Sequence, residues 1–132
     1  MSAKKDRADA QEDSMYTDIR RGDIWMAEVP ESSPFSRTIH GYRPVFVLSS
    51  NTTNVKGWIV TVAPMTSKMH HEDGAFRVPL TPDAHNCLDK PSLVLTDQIM
   101  TMDRRQLTHW IGVASNEDMT RVEAAAKAAL GL

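Results

Sequence analysis

Short runs of apolar, β-branched and aromatic residues dominate the chain, and their length predicts β-strands rather than helices. Polar segments containing Gly, Pro or Asn separate the runs. Residues 51–57, rich in Asn and Thr, are predicted to form a turn that joins two strands into a hairpin. The predicted strands cover residues 24–29, 44–50, 58–64, 75–80, 92–101 and 109–114.

Two helical segments are predicted near the C-terminus. Asp103 and Gln106 have the spacing of a capping box, which indicates a short helical turn. Ser115 is a suitable N-cap for a longer helix, because its hydroxyl can accept a hydrogen bond from the first turn, and Gly131 is a suitable stop. Since strands and helices do not alternate, the predicted fold class is mainly β, a small antiparallel barrel with a C-terminal helix.

Composition divides the chain into a tail and one domain. Residues 1–18 are polar and mixed in charge, and are expected to be a disordered N-terminal tail. Residues 19–132 are expected to form a single compact domain, since the whole chain has 132 residues, of which 41% are hydrophobic.

Charge and cysteine content restrict the function only weakly. The net charge is −2, but the first 18 residues carry three cations and five anions, which leaves 12 of each sign in the remainder. Binding to nucleic acid would therefore need a local cluster of cations. No segment has the apolar length of a membrane span or the centre of a signal peptide, so we expect a cytoplasmic protein without membrane contact. The lone Cys87 cannot form a disulfide framework.

Arg43 stands at the entrance of an apolar strand, directly before Pro44. It either pairs with a carboxylate or binds a phosphate with its planar guanidinium. Thr66 and Ser67 follow the next predicted strand. If the two strands pair as a hairpin, Arg43 and Thr66 lie at the same end of the sheet, although hydroxyls after strands often make only local turn bonds.

Polar residues elsewhere suggest further candidates. Asp97 and Gln98 interrupt an otherwise apolar strand. The segment His70 to Asp73 resembles a set of metal ligands, but adjacent histidines point apart and no partner stands at a standard spacing, so we expect no metal site.

Five segments carry a family resemblance when they are taken together in order. They are RRGDIW at 20–25, GYRPVFVLSSN at 41–51, VTVAPMTSK at 60–68, LVLTDQIMTMDRRQL at 93–107 and the terminal ALGL at 129–132. This set resembles the MazF/PemK/Kid family of toxin-antitoxin ribonucleases over about residues 19–132. Each segment alone is weak, but five in register make the resemblance specific.

The resemblance implies an SH3-like barrel that forms a homodimer and cleaves single-stranded RNA without a metal or other cofactor. The arginine of the family's Arg-Pro motif matches Arg43, and the threonine of its (Ala/Pro)-x-Thr-(Ser/Ala) motif matches Thr66, which implies that these two are catalytic. A small antitoxin with a flexible acidic segment is implied as the partner, and DNA only indirectly through that antitoxin.

Six further residues are implied or suggested to contact the RNA: Arg37, His40, Ser67, Lys68, Asp97 and Gln98. The general acid or base is left open between Asp97, His40 and neither. Three residues depart from the family pattern. Arg37 replaces a histidine of Kid-like members, Leu95 replaces an arginine, and Met100 replaces an Arg or Lys, so fewer cations are expected at the RNA.

Two alternatives to an active ribonuclease follow from the same resemblance. The first is a non-catalytic toxin like CcdB, which binds DNA gyrase and has no need of the Arg43 and Thr66 pair. The second is a degenerate member that binds RNA or antitoxin without cleavage, for which the three departures argue.

Overall fold

The computed structural model describes residues 18–69 and 74–132. The predicted tail lies outside the described residues apart from Asp18, as does the segment His70 to Asp73. The described residues form two α-helices, α1 (Asn51–Lys56) and α2 (Asn116–Leu130), and two 3-10 turns, Thr96–Gln98 and Arg104–Gln106. Their seven strands are β1 (Asp23–Val29), β2 (Gly41–Val47), β3 (Ile59–Thr66), β4 (Arg77–Leu80), β5 (Ser92–Leu95), β6 (Met100–Asp103) and β7 (Leu107–Val113).

The strands form one antiparallel sheet. Its path runs β4-β5-β3-β2-β1-β7, and β6 pairs with β3 beside this path. The predicted mainly antiparallel fold with a C-terminal helix is confirmed. The sheet is not closed, because among the described strands β4 and β7 at the ends of the path do not pair.

β5 and β6 follow the same edge of β3 and are separated by a 3-10 turn. Between the pairs Val62↔Met100 and Met65↔Val94, β3 advances by three residues while the opposite chain moves back by six. The extra residues form the turn Thr96–Gln98. The single strand predicted over 92–101 is therefore two strands, and the polar Asp97 and Gln98 lie in the turn between them.

The core has two clusters of buried apolar side chains, one on each side of the sheet. The first cluster contains Trp25, Val45, Val60 and Trp110. The second contains Phe46, Met65 and Val122, so α2 packs over this side. Alternate residues of β2 divide between the clusters, as the two-residue period of a strand requires.

The sequence signals for helix ends are confirmed. Ser115 Oγ accepts a 3.1 Å hydrogen bond from the Asp118 amide, and Gly131 ends α2 in the left-handed conformation. Asp103 and Gln106 make the reciprocal bonds of a capping box. Neither α1 nor α2 is long and apolar enough to cross a membrane, and this holds for every helix of the described residues.

The turn predicted over 51–57 is instead the short helix α1. Ser50 caps it by accepting a 3.2 Å bond from the Thr53 amide. Its C-terminal end is held by the buried Arg104, whose Nη1 donates to the carbonyl oxygens of Asn54 at 2.9 Å and Gly57 at 3.2 Å. These bonds satisfy carbonyls that a helix end leaves without intrahelical partners.

Candidate active site

A groove of about 780 Å³ opens beside β1, β2 and β7. Its floor contains Met26, Pro44 and Ile111, and its walls come from the end of β3 and from the segment before β5. The polar and charged residues that line it are Tyr42, Arg43, Thr66, Ser67, Lys68, Cys87, Asp89, Lys90, Ser92 and His109. The groove therefore combines an apolar floor with a ring of hydrogen-bonding groups, as ligand sites commonly do.

Arg43 is fixed at the start of β2 by two main-chain carbonyls. Its Nε donates to His40 O at 2.8 Å and its Nη1 donates to Met65 O at 3.2 Å. Burial lowers the pKa of the guanidinium from its ordinary value. Because a guanidinium stays protonated in proteins, Arg43 brings a permanent positive charge to the groove.

Thr66 is the last residue of β3 and is buried. Its Oγ1 accepts a 3.1 Å bond from the Lys68 amide, so it makes the local turn bond expected of a hydroxyl after a strand. A hydroxyl that accepts such a bond still carries a proton to donate. Thr66 can therefore define the turn and face a ligand at the same time.

The predicted hairpin brings Arg43 and Thr66 together. β2 and β3 pair antiparallel, and their pairing ends at Val45↔Pro64. Arg43 and Thr66 stand two residues beyond this pair on their respective strands. The bond from Arg43 to the carbonyl next to Thr66 confirms that the two residues are neighbours.

Cations exceed anions around the groove. Arg43, Lys68 and Lys90 line it against a single carboxylate, Asp89. Since the chain as a whole has a formal net charge of −2, this concentration of positive charge is local. It is the type of cluster that binding to a phosphate backbone requires.

One wall of the groove is anchored by Asn86, which is fully buried. Its Oδ1 accepts hydrogen bonds from the amides of Asp83 and Leu88, each at 3.0 Å, and its Nδ2 donates to Thr81 O at 2.9 Å. The neighbouring His85 carbonyl accepts a bond from the Val113 amide at 2.9 Å. The segment that carries Cys87, Asp89 and Lys90 is thus tied to β7.

The structure places Asp97 and Gln98 away from the groove lining. Asp97 forms an ion pair with Arg77 Nη2 at 3.5 Å. Gln98 Oε1 accepts a 2.7 Å bond from the Ile39 amide, which fixes the end of the loop before β2. Since His40 in the same loop holds Arg43, Gln98 supports the arginine through two intermediate residues.

Arg37 and His40 also lie in that loop, and both are exposed. Neither lines the groove, and His40 reaches the site through its carbonyl oxygen. Of the other positions that depart from the family pattern, Leu95 is buried and Met100 packs against the first core cluster. Leu95 pairs across the ladder with Arg77, so a cation stands on the neighbouring strand.

Besides Ser92 at the start of β5, four polar groove residues are not indicated by the sequence: Tyr42, Asp89, Lys90 and His109. They come from β2, from the segment before β5 and from β7, and no spacing in the sequence relates them. The only usable signal was their polarity beside predicted strands. No three His, Cys, Asp or Glu side chains converge as metal ligands within residues 18–69 and 74–132.

Residues 20–130 match the model of a protein family described as PemK-like, MazF-like toxin of type II toxin-antitoxin system. The match covers all the strands and the whole of α2. It therefore concerns the whole described fold rather than one motif.

Solved structures resemble the chain over most of its length. The Mycobacterium tuberculosis toxin MazF-mt6 is 27% identical, with a TM-score of 0.66 over 83% of this chain and 97% of that chain. MazF from Deinococcus radiodurans is 23% identical, with a TM-score of 0.68 over 86% and 96%. An endoribonuclease bound to its cognate antitoxin, from a mycobacterial species, is 20% identical, with a TM-score of 0.66 over 87% and 95%. The likeness to the last two is one of fold alone.

Proposed function

The chain belongs to the family of PemK-like, MazF-like toxins of type II toxin-antitoxin systems, and from this membership we propose that it is an endoribonuclease toxin that cleaves single-stranded RNA at specific sequences. The observation that carries the proposal is the meeting of Arg43 and Thr66 in one cation-lined groove. A gyrase-binding toxin of the same fold would have no need of this pair.

The proposed reaction is attack by a ribose 2′-hydroxyl on the adjacent phosphate. The bond from phosphorus to the 5′-oxygen breaks, which leaves a 2′,3′-cyclic phosphate on one product and a 5′-hydroxyl on the other. The RNA supplies its own nucleophile, so the protein needs only to position the phosphate and stabilise the charge that develops on it.

Arg43 and Thr66 divide this work. The Nε and Nη1 contacts of Arg43 lock its guanidinium in place, and its remaining edge can donate to a phosphate oxygen. The Thr66 hydroxyl donates to the same phosphate. Because both groups are held before substrate arrives, little reorganisation accompanies the reaction.

The other cations and hydroxyls of the groove hold the flanking nucleotides. Ser67 and Lys68 form one rim and Lys90 the other. Each Lys can neutralise one phosphate, and binding should weaken with salt accordingly. Gln98 and His40 act through the loop that supports Arg43, and Arg37 lies at the exposed edge of that loop, whereas Asp97 is paired with Arg77.

The proposed reaction needs no metal ion, because Arg43 supplies the positive charge that a bound cation would otherwise provide. The proposed partners are a second copy of the chain in a homodimer and a small antitoxin with a flexible acidic segment. An acidic segment complements the groove cations Arg43, Lys68 and Lys90. DNA would be contacted only through the antitoxin, and the proposed compartment is the cytoplasm.

The proposal is tested with purified protein free of antitoxin and a long mixed-sequence RNA in EDTA. We expect discrete cuts with cyclic phosphate and 5′-hydroxyl ends. Loss of one preorganised donor slows such reactions by about 10²- to 10³-fold, so Arg43→Ala and Thr66→Ala should each fall by at least that factor.

Matched control variants change the same residue types outside the groove. Thr120 and Arg121 lie on the exposed side of α2. The variants Thr120→Ala and Arg121→Ala should therefore cleave RNA like the wild type. If folded wild-type protein makes no cuts, the catalytic proposal is wrong, and gyrase inhibition or binding of uncleaved RNA becomes the function to measure.

A further inference from the structure

The proposed cleavage, on which this inference rests, leaves one proton unaccounted for. When the bond from phosphorus to the 5′-oxygen breaks, that oxygen departs as a strongly basic alkoxide unless it is protonated. Arg43 cannot give up a proton at neutral pH, and the Thr66 hydroxyl is a weak acid. A second group that can act as a general acid should therefore lie in the groove.

His109 on β7 lies in this groove, and its side chain is exposed. Among the described residues it is the only histidine that lines the groove. Imidazole is the side chain that changes its charge between pH 5 and 8, which suits proton transfer at neutral pH. The proposed roles of Arg43 and Thr66 do not involve it.

The pairing of β1 with β2 on one side and β7 on the other places His109 in line with the start of β2. Met26 on β1 pairs with Pro44 on one side and with His109 on the other. Directly paired residues of antiparallel strands point to the same face of the sheet. Pro44, Met26 and His109 therefore form one row across three strands, with Arg43 next to the end of that row.

The width of this row is comparable to the span of a phosphate that is hydrogen-bonded on both sides. Two interstrand spacings amount to about 10 Å between the backbones of Pro44 and His109. A phosphate that accepts a hydrogen bond at each side, with donor to acceptor distances near 3 Å, spans roughly 8 Å between the two donors. Arg43 follows on from this row at Pro44 and lines the same groove as His109, so a phosphate bound in the groove can lie between the guanidinium and the imidazole.

Asp97 and His40, the two candidates that the sequence suggested for this role, lie outside the groove lining. Asp97 is paired with Arg77, and His40 contributes its carbonyl to Arg43. The remaining titratable residues of the lining are Tyr42, Lys68, Cys87, Asp89 and Lys90. The hydroxyl of Tyr42 is hydrogen-bonded to Thr108 Oγ1 at 3.1 Å.

We infer that His109 is the general acid of this ribonuclease. As the 2′-oxygen bonds to phosphorus and loses its proton to solvent, the bond to the 5′-oxygen breaks and the imidazolium of His109 gives its proton to that oxygen. The neutral imidazole then regains a proton from water. No metal, oxidant or further reactant is needed.

A sulfur leaving group tests this role directly. We would compare the wild type, His109→Gln and Arg43→Ala on an oligonucleotide that contains the mapped cleavage site. One version carries the natural 5′-oxygen and the other a bridging 5′-sulfur, which departs without protonation. General acid catalysis contributes about 10²- to 10⁴-fold, so His109→Gln should be slower by this factor on the oxygen substrate.

On the sulfur substrate we expect His109→Gln to cleave within about tenfold of the wild type, because the step that needs the acid is bypassed. Arg43→Ala should stay slow on both substrates, since its role at the phosphate oxygens is unchanged. The matched control is His85→Gln, which changes an exposed imidazole outside the groove lining and keeps the main-chain carbonyl that holds the groove wall. This variant should cleave both substrates normally.

The results that would contradict the proposed ribonuclease differ from those that would contradict only the role of His109. If the wild type cleaves neither substrate, the proposed function is wrong and the inference falls with it. If the wild type cleaves but His109→Gln is equally fast, or is slowed to the same extent on both substrates, the ribonuclease stands and His109 is not its general acid. Unfolding curves of the variants establish that they are folded before the rates are compared.

Discussion

Arg43 Nη1 donates a hydrogen bond of 3.2 Å to the carbonyl oxygen of Met65. The bond joins the first residues of β2 to the last residues of β3 and places the guanidinium beside Thr66. The arginine is therefore held by the backbone of the residue that precedes its proposed catalytic partner, and the charge and the hydroxyl keep a fixed relation.

This relation predicts that lysine cannot replace Arg43. A lysine keeps the charge but lacks the planar fork that contacts His40 O and Met65 O and leaves one edge for the proposed phosphate. We expect Arg43→Lys to reduce single-turnover cleavage by about 10²-fold or more, the effect of losing one oriented donor. Binding of uncleaved RNA, measured in parallel, should change far less. Near wild-type cleavage by the lysine variant would mean that charge alone suffices.

Gln98 offers a second test, because it acts on the loop and not on the groove. In Gln98→Ala the Ile39 amide loses its 2.7 Å bond, which should lower the free energy of unfolding by about 1 kcal/mol. The loop that holds Arg43 should also become more susceptible to limited proteolysis. Gln98→Glu keeps an acceptor oxygen and is the matched variant. Equal protection of the loop in the alanine and glutamate variants would contradict the supporting role.

Acid should weaken the contribution that Asp103 makes to the stability of the folded protein. Hydrogen bonds from Arg105 lower the pKa of its carboxyl from 3.8 to about 2. A carboxyl whose pKa is depressed by folding stabilises the protein above its unfolded pKa, and this stabilisation is lost as the pH falls through the folded value. The wild type should thus unfold at a higher temperature than Asp103→Asn at pH 5, and the difference should shrink between about pH 4 and pH 2. A difference that persists unchanged at pH 2 would exclude this ion pair as its source.

Gly112 should tolerate no side chain. A Cβ at this position would lie 2.5 Å from Asn86 O and 2.6 Å from His85 O, both rigid backbone atoms. Gly112→Ala should therefore destabilise the protein by about 1 to 3 kcal/mol in denaturant unfolding, as overpacking does. Gly131→Ala is the comparison, since it meets no atom within 4 Å and tests only the positive φ of 75°. If Gly112→Ala is as stable as the wild type, the segment before β5 is less tightly held than its contacts indicate.

The features that the sequence predicted well depend on neighbours in the chain. The hairpin that unites Arg43 with Thr66, the capping box of Asp103 and the N-cap Ser115 each involve short spacings with known geometry. The composition of two adjacent strands was enough to place the two candidate catalytic residues at one end of the sheet.

The features that the sequence did not predict depend on contacts between residues that are far apart in the chain. Helix α1 has the composition of a turn, and Arg104, about fifty positions later, holds its C-terminal carbonyls. The interruption at Thr96–Gln98 exists because β5 and β6 share one edge of β3 while the chain between them has three residues too many. The register of β7 with β1 places His109 in the groove. The pattern of apolar residues along the chain does not determine this register.

The residues that fix the shape of the groove wall around Asn86 differ from those that present side chains to the groove. The side chain of this asparagine and the carbonyl of His85 hold the segment in place, while Asp89 and Lys90 present their side chains to the groove without contributing to that anchor. Cys87 also lines the groove, but its Sγ donates to the His85 carbonyl at 3.8 Å. New residues can therefore be exchanged at positions 89 and 90 on an unchanged frame. At 87 the left-handed φ of 54° restricts the choice to residues such as Gly or Asn. A small library of variants at these positions is a practical starting point for altering the proposed preference for particular RNA sequences.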